Sequence, residues 1–248
     1  LRILPKELGA LVNLTELSLS KNNLTKLPNE IGELKNLELL SVLGNKLIEL
    51  PSSIGNLKKL KKLNVLGNKI SLLPNELCLL INLESLSIFD NELIELPEDI
   101  GNLYNLTELL ANNNHMTKLP NSIGKLENLE YLWIYENRLT SLPNDIGTLS
   151  NLTDLWVYDN NLTKLPDEIG LLSSLRELWI SKNSITKIPV SIGNLKRLTQ
   201  INISRNELTQ LPKEMSKLER LDWLEIDRKV TVPDELSHFV QNKIINYV

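Results

Sequence analysis

"LWIYENRLTSLPNDIGTLSNLTDLWVYDNNLTKLP", residues 132–166, says nearly the same thing twice. LWIYEN returns as LWVYDN after 23 residues, so Trp133 recurs as Trp156 and Tyr135 as Tyr158. One more step of 23 reaches LWISKN and Trp179. Of the chain's four tryptophans, three therefore stand in register. Self-similarity at a period of roughly 20–50 residues marks a stacked repeat architecture, so the period comes before any single motif.

Followed outward, the period accounts for most of the chain. Asn stands at 22, 45, 68, 91, 114, 137, 160, 183 and 206. Ten of eleven prolines fall at 5 and every 23 residues on to 212. Eight of ten glycines fall at 9, 32, 55, 101, 124, 147, 170 and 193. Nine complete copies, 14–36 through 198–220, align as LxxLxLxxNxLxxLPxxIGxLxx with no insertion.

Each consensus position has a physical reading. Leu17-Ser18-Leu19 alternates as a short strand with one buried face does. One such strand cannot bury its leucines alone, but stacked parallel neighbours share a continuous core. The Asn amide both donates and accepts, so it suits buried backbone groups where the strand turns inward. Pro follows an extended residue and can open a helical or 3₁₀ turn on the outer side. The Gly site is taken by Cys78 in one unit and Ser216 in another. All three residues are small, so close packing is expected there more than a positive φ.

This pattern resembles the leucine-rich repeat family, in the 23-residue form common in bacterial proteins and in plant and animal intracellular scaffolds. The resemblance covers about 225 residues. It implies an α/β solenoid: a curved horseshoe with a parallel sheet on its concave face and short helical or 3₁₀ segments on its convex face. It also implies a protein-binding module, like the bacterial repeat proteins that engage host or self proteins. Fold alone does not fix a ligand.

The solenoid is expected over 1–226, as a partial first unit 1–13 followed by nine full repeats 14–220. Leu1 to Pro5 match Leu24 to Pro28, so the strand that should precede them is missing and the natural protein is expected to extend further. Residues 227–248 break the pattern and are expected to form a C-terminal capping helix. There Leu236, Phe239, Val240, Lys243, Ile244 and Tyr247 share one helical face, with Asp234 and Glu235 in the first turn.

Bulk composition narrows the function. The net charge of −4 sets up no field for nucleic acid. No run of 18 apolar residues exists to span a membrane. Only one cysteine is present, so no internal disulfide and no thiolate-built zinc cluster is expected. Oligomeric state and compartment stay open.

The strand residues other than leucine point away from the core, into the concave face. The x of LxL reads Ser18, Ser41, Asn64, Ser87, Leu110, Trp133, Trp156, Trp179, Asn202 and Glu225. The next row holds Ser20, Leu43, Leu66, Phe89, Asn112, Tyr135, Tyr158, Ser181, Ser204 and Asp227. The row before includes Tyr131 and Trp223. Half exposed, Phe89, Tyr131, Tyr135, Tyr158 and the three central tryptophans would present roughly 500–800 Å². An apolar patch of that size marks a binding site. Cross-strand packing of aromatics is the competing reading, although other units use Ser or Asn in the same row.

Charge on this face is uneven. Early units carry Lys21, Lys46, Lys62 and Lys69 against Glu16. The middle units carry Asp90, Glu92, Glu108, Glu136, Asp154 and Asp159 against Arg138, and Glu177 stands in register with Asp154. An aromatic strip with an acidic fringe suits a protein partner that brings basic and apolar groups. The expected ligand-binding set is Trp133, Trp156, Trp179, Tyr131, Tyr135, Tyr158, Phe89, Asp154, Asp159, Glu136 and Glu177. A glycan is the alternative ligand, since the same strip suits stacking on sugar rings. A targeting domain of a larger enzyme, such as a bacterial effector, is a third reading.

No catalytic constellation is expected. His115 and His238 lie 123 positions apart, as their numbers give, and share no metal spacing. Cys78 fills a packing site and is expected to be buried and inert. Asp154 and Glu177 pair only because repeats stack like charges. No phosphate-binding glycine loop appears, and the Asn-x-Ser/Thr sequons are explained by composition. No cofactor is expected.

Overall fold

The computed structural model describes all 248 residues. Eleven strands follow one another in chain order within one sheet. They are β1 (Glu16–Ser18), β2 (Leu39–Ser41), β3 (Lys62–Asn64), β4 (Ser85–Ser87), β5 (Glu108–Leu110) and β6 (Tyr131–Trp133). They continue as β7 (Asp154–Trp156), β8 (Glu177–Trp179), β9 (Gln200–Asn202), β10 (Trp223–Ile226) and β11 (Ile245–Tyr247). Every pairing is parallel, and from β1 to β10 the register advances by one repeat: Leu132 lies beside Leu155 and Leu155 beside Leu178. The middle Leu or Ile of β1 to β9 and Leu224 of β10 face inward, where 69 buried residues form one continuous core. No unit owns a separate core, so stability is a property of the stack.

On the other side of that core nine of the eleven prolines introduce a five-residue 3₁₀ turn, such as Asn144–Thr148 after Pro143. Pro143 is extended, at φ −67° and ψ 150°, and its carbonyl accepts the Ile146 N–H at 3.1 Å. The repeating glycine sits where these turns stack. A Cβ on Gly147 would lie 2.5 Å from the Glu168 carbonyl oxygen and 2.8 Å from the Glu168 Cβ. Close packing therefore selects glycine here. Two units depart from this. After Cys78 and after Ser216 the next unit's 3₁₀ turn shrinks to three residues, Ile100–Asn102 and Asp234–Leu236.

The Asn series ties unit to unit. Asn137 accepts the Met116 N–H at 3.0 Å. Its Nδ2 donates to the carbonyls of Ala111, Ile134 and Tyr135 at 3.1, 3.1 and 3.2 Å. Asn45, Asn68, Asn91, Asn114, Asn160, Asn183 and Asn206 repeat the arrangement and are all buried. The residue just before each Asn is left-handed, with φ between 51° and 66° from Lys21 through Gly44, Gly67 and Asp90 to Arg205. A second Asn row runs along the flank, where Asn82, Asn105, Asn128 and Asn151 each donate to a carbonyl 24 residues back at 2.7–2.8 Å.

The C-terminal region departs from expectation. The helix is short, Ser237–Gln241, and the chain then turns through Lys243 at φ 55°. Ile245–Tyr247 joins the sheet beside β10. Leu236, Phe239 and Ile245 enter the core, whereas Val240 and Tyr247 are 49% and 42% exposed. The edge of β10 offers unpaired backbone groups, and a strand satisfies them as no helix can. The run Ile244-Ile245-Asn246-Tyr247 is rich in β-formers and alternates across the sheet.

Candidate functional site

The open face of the sheet changes character along its length. Over β1 to β4 it mixes Ser and Asn with Leu39, Leu43, Leu66, Lys62 and Phe89 and carries no stacked rings. The Ser20 hydroxyl lies 3.2 Å from that of Ser18 and 2.9 Å from that of Ser41, and Asn64 accepts the Leu66 N–H at 3.1 Å. From β6 onward it is aromatic. Trp133, Trp156 and Trp179 are directly paired by strand register.

The rings do not form a uniform stack. Trp133 lies flat on Trp156, with centroids 4.4 Å apart and planes 3° from parallel. Tyr135 lies flat on Tyr158 at 4.3 Å and 9°, and also approaches Trp156 at 6.3 Å. Trp179 tilts 49° from Trp156 at 5.8 Å. It stacks instead on Trp223 of β10, at 5.3 Å and 25°. The two indoles meet across β9, which carries only Gln200 and Asn202 on this side. Trp156 is the hub, touching Trp133, Tyr135 and Trp179. Tyr131 and Phe89 share the face without ring contact to this group, and Phe89 is separated from Tyr135 by Asn112. Every ring of the group is partly buried by its neighbours and less than half exposed, so the apolar patch is smaller than half-exposed rings would give.

Two features set the chemistry of this cluster. The indole N–H groups of Trp133, Trp156 and Trp179 are buried and have no hydrogen-bond partner. Burial raises the pKa of the Tyr135 and Tyr158 phenols, with stacked Tyr135 adding to the shift of Tyr158, so both stay neutral.

The acidic fringe is placed as follows. Asp154 and Glu177 lie side by side on β7 and β8. Asp154 accepts the Thr153 hydroxyl at 2.5 Å. Asp159 is held by Lys182 at 2.9 Å, which neutralises part of the fringe. Glu136 and Asp159 are left-handed residues, so the backbone turn sets their direction.

Sequence reasoning left Glu225, Asn202 and Ser204 out of the binding set, and placed Trp223 on the face without joining it to the strip. Where the aromatic rows end, at Trp179 and Tyr158, the small residues of β9 open a recess of about 270 Å³. Its walls include Trp156, Tyr158 and Trp179, and its lining includes Ser181, Asn202, Ser204 and Glu225. Glu225 Oε1 accepts Asn202 Nδ2 at 3.1 Å and the Ser204 hydroxyl at 2.9 Å. The Ser204 hydroxyl is also 2.8 Å from Asn202 Oδ1. The signal was present in sequence as the step from Trp179 to Asn202 and from Tyr158 to Ser181.

No group of three or more His, Cys, Asp or Glu side chains gathers in a way that could hold a metal ion. Cys78 is buried, and burial pushes its thiol up to about 11. No helix is long and apolar enough to cross a membrane.

The chain matches the family model described as "Leucine-rich repeat region" over residues 3–109, 95–183 and 167–241. Among solved structures it is similar to a leucine-rich repeat protein of Leptospira interrogans, at 34% identity and TM-score 0.81. The match covers 100% of this chain and 69% of that one. The functional domain of InlJ from Listeria monocytogenes is 30% identical at TM-score 0.80, covering 97% of this chain and 49% of that one. The ectodomain of the plant membrane receptor kinase GASSHO1/SCHENGEN3 from Arabidopsis thaliana, solved with Casparian strip integrity factor 2, is 27% identical at TM-score 0.78. There the match covers 98% of this chain and 36% of that one. Among proteins with curated functions none matches this chain. The unbroken repeat, the parallel sheet and these matches together place the chain in the leucine-rich repeat family.

Proposed function

We propose that this chain is a protein-binding module whose ligand docks on the open, concave face of the sheet from β6 to β10, centred on Trp156. The observation that carries the reading is the confinement of stacked aromatics to that half of the face, the other half carrying Ser, Asn and scattered Leu, Lys and Phe side chains with no ring stack. A solenoid built of near-identical units needs no tryptophan in this row, as Ser18, Ser41 and Ser87 demonstrate.

The energetics also favour a ligand over packing alone. Each aromatic contact contributes about 0.5–1.5 kcal/mol to the sheet. Each buried, unpaired indole N–H costs roughly 1–3 kcal/mol. The unpaired N–H groups thus offset part of what ring contact and buried ring area contribute, so the strip packs less favourably than its size suggests. Trp and Tyr anchors concentrate the energy of protein interfaces. The similar Arabidopsis ectodomain, solved with a bound factor, supports the same use of the fold here. Asp154, Glu177 and Glu225 give the face a negative rim that steers a basic partner. The partner is to be isolated by pull-down on the immobilised chain and its affinity remeasured with pure components. Loss of affinity in Trp156→Ser, with the fold intact, is the expected result. Saccharides that quench tryptophan fluorescence saturably, with no protein partner found, would replace this reading by glycan binding.

A further inference from the structure

We infer that the recess at the end of the aromatic rows seats one arginine side chain of the bound protein, its guanidinium packed against the aromatic wall of Tyr158 and Trp179 and paired with Glu225. The inference rests on the reading of this face as a protein-binding surface and narrows it to one residue of the ligand.

Size comes first. At about 270 Å³ the recess is smaller than the roughly 300–1,000 Å³ of sites that enclose small molecules. It is open to the face, on the scale of a single inserted side chain. Its walls are aromatic, so the inserted group must present a flat or apolar surface to an indole.

Charge comes second. Glu225 Oε1 is occupied by Asn202 and Ser204, which fix the carboxylate in place. Its Oε2 makes no hydrogen bond, and the chain's four ion pairs leave Glu225 without a cation. The Ser181 hydroxyl is likewise without a partner in the chain and lines the same recess. Two acceptors therefore wait beside the aromatic wall of Tyr158 and Trp179. Glu177 stands one row away on the strand that carries Trp179 and adds to the negative potential. Opposing charges are Lys182 and Arg205 on the rim. Lys182 is already neutralised by Asp159 at 2.9 Å. Arg205 is exposed, so solvent and salt screen it, whereas partly buried Glu225 is screened less.

Shape comes third. A guanidinium is planar, weakly hydrated and able to stack on an aromatic face while its fork of N–H donors reaches two acceptors. An ammonium is a compact, strongly hydrated point charge and cannot stack in this way.

The test uses the whole chain and defined probes: N-acetyl-arginine amide, N-acetyl-lysine amide and N-acetyl-citrulline amide, the last keeping the shape without the charge. Each is titrated while tryptophan fluorescence is read, against wild type, Glu225→Gln, Trp179→Ser and the distant control Ser41→Ala. The expected result is saturable binding of the arginine probe, with citrulline and lysine each about tenfold or more weaker. Glu225→Gln should weaken the arginine probe about tenfold and abolish its preference over citrulline, with an unchanged melting temperature. Trp179→Ser should lose the binding, and Ser41→Ala should behave as wild type. Equal binding of arginine and citrulline, an unaffected Glu225→Gln, or no saturable binding would overturn the inference. The broader reading is judged separately, by the effect of Trp156→Ser on the purified partner. If that variant loses the partner while the arginine probe fails to bind, the docking face stands and the arginine pocket falls.

Discussion

Replacing Asn137 by Ala removes a side chain that joins two successive units, and the structure fixes the cost. Four hydrogen bonds of 3.0–3.2 Å disappear. The three carbonyls keep other donors: Ala111 from Asn114, Ile134 from Asn160 and Tyr135 from Asn113. The Met116 N–H keeps none, and Met116 is fully buried. One orphaned buried donor costs about 1–3 kcal/mol, and the weakened carbonyl bonds add about 1 kcal/mol. The expected loss is therefore roughly 2–4 kcal/mol, a fall in melting temperature of about 5–15 °C for a chain of this size. Asn22 supplies the contrast, because its Oδ1 accepts only the exposed amino group of Leu1. Asn22→Ala should cost less than about 1 kcal/mol. Urea denaturation followed by circular dichroism measures both. Equal midpoints for Asn137→Ala, Asn22→Ala and wild type would refute the claim that these amides hold the turns.

Two glycines separate strain from crowding. Gly67 is at φ 66° with no atom nearer than 3.6 Å to an added Cβ, so Gly67→Ala should cost only the left-handed backbone term of about 1–2 kcal/mol. Gly147→Ala meets the Glu168 carbonyl at 2.5 Å with no positive φ, and should cost about 1–3 kcal/mol through displacement of the next turn. Amide exchange in residues 167–171 should quicken only in the second variant. Cys78 should resist thiol reagents at pH 8 until the chain unfolds. Its thiol titrates near 11 in the fold against 9.0 for an ordinary one, so the folded state holds its proton more tightly. Stability then falls as pH rises from 9 towards 11, by roughly 1.4 kcal/mol per pH unit, and Cys78→Ala should flatten that slope. A thiol that reacts freely in the native state would contradict its burial.

Much of the fold could be read in the sequence because each period-23 position answers a constraint from its own neighbours in the stack. The strand register, the Asn bonds and the crowded glycine site all follow from one unit lying on the next. What was not legible depends on comparing units or on side-chain packing. Gly44 and Gly67 look isolated as glycines, yet they belong to a left-handed row completed by Lys21, Asp90, Asn113 and others whose side chains tolerate that backbone. Residues 237–247 carry a helical pattern that gives way to a strand because the open edge of β10 rewards pairing. At the candidate site, the row of tryptophans was readable from spacing alone. The tilt of Trp179 toward Trp223 was not, since it depends on the small residues of β9 between them. The step from Trp179 to Asn202 marks where the recess lies, but the fixing of Glu225 by Asn202 and Ser204 depends on side-chain packing that spacing does not give.

The most direct test of the docking face is the affinity of Trp156→Ser for the purified partner, measured beside its melting temperature. Loss of three ring contacts and of buried ring area is offset only in part by removal of one unpaired indole N–H, so the melting temperature should fall by about 5–10 °C while the chain stays folded at the assay temperature. Affinity should fall by roughly 2–4 kcal/mol, as for a central interface anchor. A sharply lowered melting temperature with unchanged affinity per folded molecule would contradict the account and make the tryptophans sheet packing.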